Sequence, residues 1–94
     1  MDTYSNKINI ELLAEAVCKH NVTINELRSA DKRRELVMAR AILARGAQLH
    51  KELELRSVCD ILHKHRGTVS RLAAAARKDQ QMSDMANKLV EDLS

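Results

Sequence analysis

Between Leu55 and Lys78 the chain reads LRSVCDILHKHRGTVSRLAAAARK, and two short apolar patterns meet there around a small basic turn. Leu55, Val58, Ile61 and Leu62 make the first pattern, and Val69, Leu72, Ala73 and Ala76 make the second. Both return to one side every three or four residues, so each segment winds into a helix with one apolar face. The residues between them, His63 to Gly67, are too few for a strand. The outline is a helix-turn-helix. Opposite its apolar stripe the second helix carries Ser70, Arg71, Ala74 and Lys78, the small and basic surface that lets a helix lie in the major groove of DNA.

The rest of the chain limits the fold further. It holds no Phe, Trp or Pro, one Tyr and two Gly, which removes the usual strand formers together with most turn breakers. The expected class is all-α, a compact bundle of about six helices containing the helix-turn-helix. Its core must be built from Leu, Ile, Val, Ala and Met, and a chain of 94 residues suits one domain of modest core. Residues 1–7 read as a flexible N-terminus and residues 8–94 as a single helical domain.

A first helix fits Ile10 to Lys19, with Ile10, Leu13, Ala14 and Val17 on one face, Glu11, Glu15 and Lys19 on the other, and Asn9 as cap. Thr23 followed three residues later by Glu26 is a capping-box pattern that starts a short helix through Arg28, with Leu27 facing inward. Asp31 reads as the cap of a third helix to about Leu49, apolar nearly all the way round and therefore central. Gly46 inside it is expected to serve close helix packing. Ser83 reads as the cap of a last helix carrying Met85, Ala86, Leu89, Val90 and Leu93.

Charge is distributed unevenly. Arg28 to Lys78 holds 13 Lys or Arg against 5 Asp or Glu, a net of +8, while residues 1–27 hold 2 against 4 and residues 79–94 hold 1 against 4. A basic centre with acidic flanks points to a polyanion partner, although charge runs also occur as solvated helix faces. Thr68 precedes an apolar helical run and reads as an N-cap, a position where DNA readers also place a phosphate or base contact. Lys64, His65 and Arg66 lie just ahead of that helix start. Cations there oppose the helix dipole unless an anion arrives. Arg71 is the expected base-edge contact and Lys78 shares its face, although both also fit as ordinary exposed side chains. Lys32, Arg33 and Arg34 form a second cluster on the first turn of the central helix, a phosphate or minor-groove clamp.

Other classes find little support. His63 and His65 stand two residues apart, which separates them on a helix, and no carboxylate adjoins them as a third ligand, so no metal site is expected. Ser70 lacks a nucleophile elbow, Cys18 near His20 lacks an orienting third group, and no glycine-rich phosphate loop exists; neither enzyme activity nor a cofactor is implied. Cys18 and Cys59, 41 residues apart within helical patterns, read as buried thiols, with one disulfide as the alternative. With no signal peptide and no long apolar run, the expected compartment is the cytoplasm, with no membrane partner.

These residues resemble a known family. In pattern, nearly the whole chain is similar to the C-terminal DNA-binding domain of the bacterial chromosomal replication initiator DnaA, and to the related C-terminal domain of REP-associated tyrosine transposases. The resemblance rests on the helix and short helix of Ile8 to Leu27, on Arg34 and Arg40 in the central helix, and on Leu55-Arg-Ser-Val58-Cys-Asp60 leading to Thr68-Val69. Met38 to Ala44 and Gly67-Thr-Val-Ser-Arg71 are closer to the transposase version. The initiator's Asp-His-Thr-Thr-Val signature stands here as His65-Arg-Gly-Thr-Val69, so only Thr68 and Val69 carry over. Its basic-loop arginines fall on Met38 and Arg40.

The resemblance implies double-stranded DNA as partner, and Arg40 joins Lys32 to Arg34 in holding the backbone. It also implies a targeting part alone, served by a separate catalytic domain or partner chain, because His63-Lys64-His65 and Tyr4 do not supply a transposase's metal pair and nucleophile. Oligomeric state is left open. The alternative class is a helical protein-protein adaptor that uses the basic face and the Met-rich last helix.

Overall fold

The computed structural model describes residues 10–18, 22–50 and 54–93. Six helices follow in order: α1 (Ile10–Val17), α2 (Ile24–Arg28), α3 (Arg34–Leu49), α4 (Leu55–Leu62), α5 (Arg66–Lys78) and α6 (Gln80–Leu93). No strand occurs among the described residues, and the all-α bundle expected from composition is what forms. The expectations for residues 1–7, for Asn9 as a cap and for Lys19 lie outside the described residues.

α3 is the hub because its apolar residues wrap most of its circumference. Leu36, Ala39, Ala41, Ile42, Leu43, Ala44 and Ala47 are all buried, and the helix touches every other helix of the bundle. Around it Leu13, Leu27, Val58, Leu62, Val69, Ala73 and Ala86 complete the core, each fully buried or nearly so. With alanine at so many interface positions, helix axes approach closely, and side-chain area contributes less than in an aromatic core. Gly46 works in the same direction: a Cβ at this position would stand 3.1 Å from Leu13 Cδ2, so glycine lets α1 settle onto α3.

Local chemistry explains the helix ends. Thr23 Oγ1 accepts from Glu26 N at 3.1 Å and Glu26 Oε1 accepts from Thr23 N at 2.9 Å, a complete capping box. α4 closes at His63, whose φ of 55° and ψ of 43° are left-handed, while the Lys64 amide donates back to Cys59 O at 3.1 Å. That six-to-one bond is the Schellman closure, here built without the usual glycine.

Three expected caps move. Asp31 does not cap α3: the helix begins at Arg34, and Asp31 Oδ1 instead accepts from Arg33 N at 2.9 Å in the preceding turn. Thr68 is not the cap of α5, because the Schellman turn reverses the chain at once and α5 starts at Arg66 with His65 as its N-cap. Thr68 therefore falls within the first helical turn. Ser83 lies inside α6, whose first turn is closed by Asp79 Oδ1 accepting from Met82 N at 3.0 Å. α1 runs to Val17, and Cys18 follows it in a turn. Cys18 and Cys59 are both free thiols, and both are half-buried rather than fully buried.

Candidate nucleic-acid interface

α5 carries four basic residues, Arg66, Arg71, Arg77 and Lys78, and no acidic one. Its inner face is fixed by Val69, Ala73 and Ala76, so the 3.6-residue period turns Ser70, Arg71 and Lys78 to solvent, with Ala74 half-buried beside them. None of Arg66, Arg71, Arg77 and Lys78 has a hydrogen-bond or ion-pair partner among the described residues. The first turn has no side-chain cap and no acidic residue, leaving its amides open and adding Arg66 at the positive end of the helix dipole. Gly67 is exposed in that turn, and a Cβ added there would meet nothing within 4 Å, so the fold does not require glycine.

Two residues expected on DNA point elsewhere. Arg40 is 5% exposed and spends its guanidinium on the C-terminal carbonyls of α2 and the turn after it: Nε to Leu27 O at 2.9 Å, Nη2 to Glu26 O at 3.1 Å and to Ser29 O at 2.9 Å. A helix of five residues leaves its last carbonyls short of amide donors; Ser29 supplies its amide and hydroxyl to Glu26 O, and the buried arginine supplies Leu27 O. Lys64 also turns inward, Nζ donating to Ser29 O at 2.8 Å and to Arg28 O at 3.4 Å. Both side chains are thus engaged with backbone carbonyls. Desolvation lowers the affinity of each for its proton, Asp31 opposing this at Arg40 and repulsion from Arg40 adding to it at Lys64.

The same bonds gather the second basic cluster. Ser29 belongs to the turn that leads into Lys32, Arg33 and Arg34, and Lys64 belongs to the turn that leads into α5, so the two turns abut. Lys32 and Arg34 are exposed and unpaired among the described residues, and so is His65. Arg33 is half committed, Nη2 to Glu26 Oε2 at 2.6 Å and Nε to Asp31 Oδ2 at 2.9 Å, with about half its side chain still exposed. Glu26 binds its proton less tightly than usual, first because its carboxylate accepts the Thr23 amide and then because of Arg33; Asp31 does so chiefly because it accepts the Arg33 amide.

Sequence reasoning missed Arg28 and Arg77. Arg28 Nε donates to Ile61 O at 2.7 Å, a bond across 33 residues that no local pattern announces. Arg77, exposed on the flank of α5, lies seven residues beyond Ser70 and was legible from helical spacing.

Elsewhere, a groove of about 540 Å³ runs between α1, α3 and α6, lined by Val17, Met38, Ile42, Met85 and Leu89 among others, and Met85 is 39% exposed. A hollow of about 450 Å³ is lined by Glu11, Glu15, Arg28 and Asp60 together with Ile10, Ile24 and Ile61. Among the described residues no group of three His, Cys, Asp or Glu is arranged to hold a metal ion, and no helix is long and apolar enough to cross a membrane. No family model, characterised protein or solved structure matches the chain.

Proposed function

We propose that the chain binds double-stranded DNA, with α4 and α5 acting as a helix-turn-helix and α5 as the helix that enters the major groove. The observation that carries this reading is the composition of α5: four cations unpaired among the described residues, no carboxylate, and a cationic residue at its uncapped N-terminus. Arg66 at the uncapped N-terminus opposes the helix dipole by a few tenths of a kcal/mol, a cost that an incoming phosphate reverses, whereas Arg77 and Lys78 stand in the last turn, where the dipole favours them. Ser70, Gly67 and Ala74 keep the outer face small enough for close approach. Arg71 is the base-edge contact, with Thr68 and Ser70 beside it. Arg66, Arg77 and Lys78 meet phosphates with His65 beside them, and Lys32 and Arg34 reach the backbone from the neighbouring turn, flanked by Arg33, whose guanidinium is held by Glu26 and Asp31. The resemblance to the replication initiator's C-terminal domain and to the transposase-associated domain supports the same assignment, with a targeting role, a cytoplasmic setting and no catalysis by this chain.

A second reading, the helical adaptor, draws on the apolar groove and on exposed Met85, since methionine-lined grooves accept varied partner helices. Fluorescence anisotropy on labelled duplex separates the two. In the DNA reading Arg71→Glu abolishes duplex binding while the far-UV circular dichroism stays native. In the adaptor reading duplex affinity is weak throughout and indifferent to that site.

A further inference from the structure

We infer that Arg28 and Lys64 form a reciprocal latch that holds the two basic clusters at a fixed spacing, so that they grip DNA as one unit; this rests on the DNA-binding reading above. The bonds run in both directions. Arg28, the last residue of α2, donates from Nε to Ile61 O in the last turn of α4 at 2.7 Å. Lys64, in the turn that follows α4, donates from Nζ to Ser29 O at 2.8 Å and to Arg28 O at 3.4 Å. Each side chain therefore reaches from its own turn to the backbone of the other.

The latch matters because of what it joins. Ser29 stands three residues before Lys32, and Lys64 stands two before Arg66, so the bonded atoms lie at the root of both exposed clusters. The turn of residues 29–33 is also held by Arg40, which ties Ser29 O to α3, and by the bonds of Ser29 and Arg33 to Glu26. Arg40 thus ties the turn to α3, while Arg28 and Lys64 tie it to the end of α4 and to the turn that leads into the helix proposed to read DNA. Two groups of phosphate contacts on a rigid frame share one loss of rotational freedom on binding; on loosely joined frames the second group loses most of that advantage. Arg28 and Lys64 are accordingly positioning residues, and neither touches DNA.

Salt titrations of duplex binding by the full chain test this, comparing wild type with Lys64→Met and with the double variant Arg28→Met, Lys64→Met. If the latch positions the cluster, the double variant loses the contacts of Lys32 and Arg34 together, and the magnitude of the log-log salt slope falls by about 1.8, at about 0.9 per phosphate. Replacing Lys32 and Arg34 with alanine in that background then changes nothing further, whereas Arg71→Ala keeps its full effect. Lys64→Arg, which reaches the same carbonyls, restores binding. A fall of about 0.9 for Lys64→Met, with Lys32 and Arg34 still costing their full share, identifies Lys64 as a direct phosphate ligand and overturns the proposal. An unchanged slope and affinity in the double variant overturns it as well.

A variant that does not fold, seen by circular dichroism, is replaced by Lys64→Gln, which keeps a donor without the charge and is expected to bind nearly as wild type. Failure of the wild type to bind duplex overturns the DNA reading and the latch's role together. Amide exchange tells that result from failure of the latch itself: the double variant speeds exchange at residues 28–33 only where the bonds hold the turn.

Discussion

Replacing Arg40 with methionine removes a buried cation of the core, and the expected cost follows from its three acceptors. Leu27 O is buried and would be left without its side-chain donor, at about 1–3 kcal/mol; Glu26 O keeps the Ser29 amide and hydroxyl and Ser29 O keeps Lys64, so their loss adds little. Against this, the guanidinium no longer has to be desolvated, and the methionine stem keeps much of the packing. The balance is a loss of about 2 kcal/mol, a sizeable share of the roughly 5–15 kcal/mol that holds a domain of this size. In a thermal melt this corresponds to a fall of roughly 8–16 °C, at about 4–8 °C per kcal/mol. Arg40→Lys keeps the charge without the planar fork and falls between the two. Urea unfolding followed by circular dichroism gives the free energy directly. A loss below about 1 kcal/mol, coupled to a weaker salt dependence of DNA binding, would refute the reasoning and return Arg40 to the phosphate contacts.

Further outcomes follow from the same structure. Gly67→Ala is expected to raise stability by about 0.5–1 kcal/mol, because a Cβ at that exposed helical position meets nothing and alanine restricts the unfolded chain; a thermal melt that falls would contradict it. His63→Gly should add about 1 kcal/mol by relieving the left-handed conformation at the end of α4, and an unchanged urea midpoint would mean that His63 tolerates this geometry without strain. Glu26 and Asp31 hold their protons less tightly in the folded chain than in the unfolded one, so their contribution is complete above their ordinary values of 4.5 and 3.8 and is lost as pH falls through the lowered folded values. Urea midpoints taken from about pH 6 to about pH 3 should therefore fall, and Glu26→Gln should flatten part of that fall.

Helix identities were legible in the sequence because each rests on a local period. Leu13, Ala14 and Val17, then Val58 and Leu62, then Val69, Ala73 and Ala76, form apolar faces at helical spacing, and all are buried. The capping box of Thr23 and Glu26 was legible for the same reason, both bonds lying three residues apart. Helix starts were less so. Asp31, Thr68 and Ser83 are good capping residues, but the starts of α3, α5 and α6 depend on how the preceding turn closes, as the Schellman bond from Lys64 to Cys59 illustrates.

The candidate site divides along the same line. The outer face of α5 follows from its apolar stripe alone. Arg40 and Lys64 could be placed only by bonds across 13 and 35 residues, which no local window contains. One signal was nonetheless present. Arg40 falls on the stripe of Leu36, Leu43 and Ala47, at i+4 from the first and i−3 from the second, where a cation must be buried. The short α2 beside it needed donors for its last carbonyls.

The most direct test of the DNA-binding account is the salt dependence of duplex affinity for the wild-type chain. With Arg40 and Lys64 withdrawn and Arg71 on a base, Lys32, Arg34, Arg66, Arg77 and Lys78 remain for phosphates, and a log-log slope of about −4.5 is predicted from about 0.9 per contact. No binding to duplex below about 0.1 mM at low salt, or a slope near zero, would contradict it.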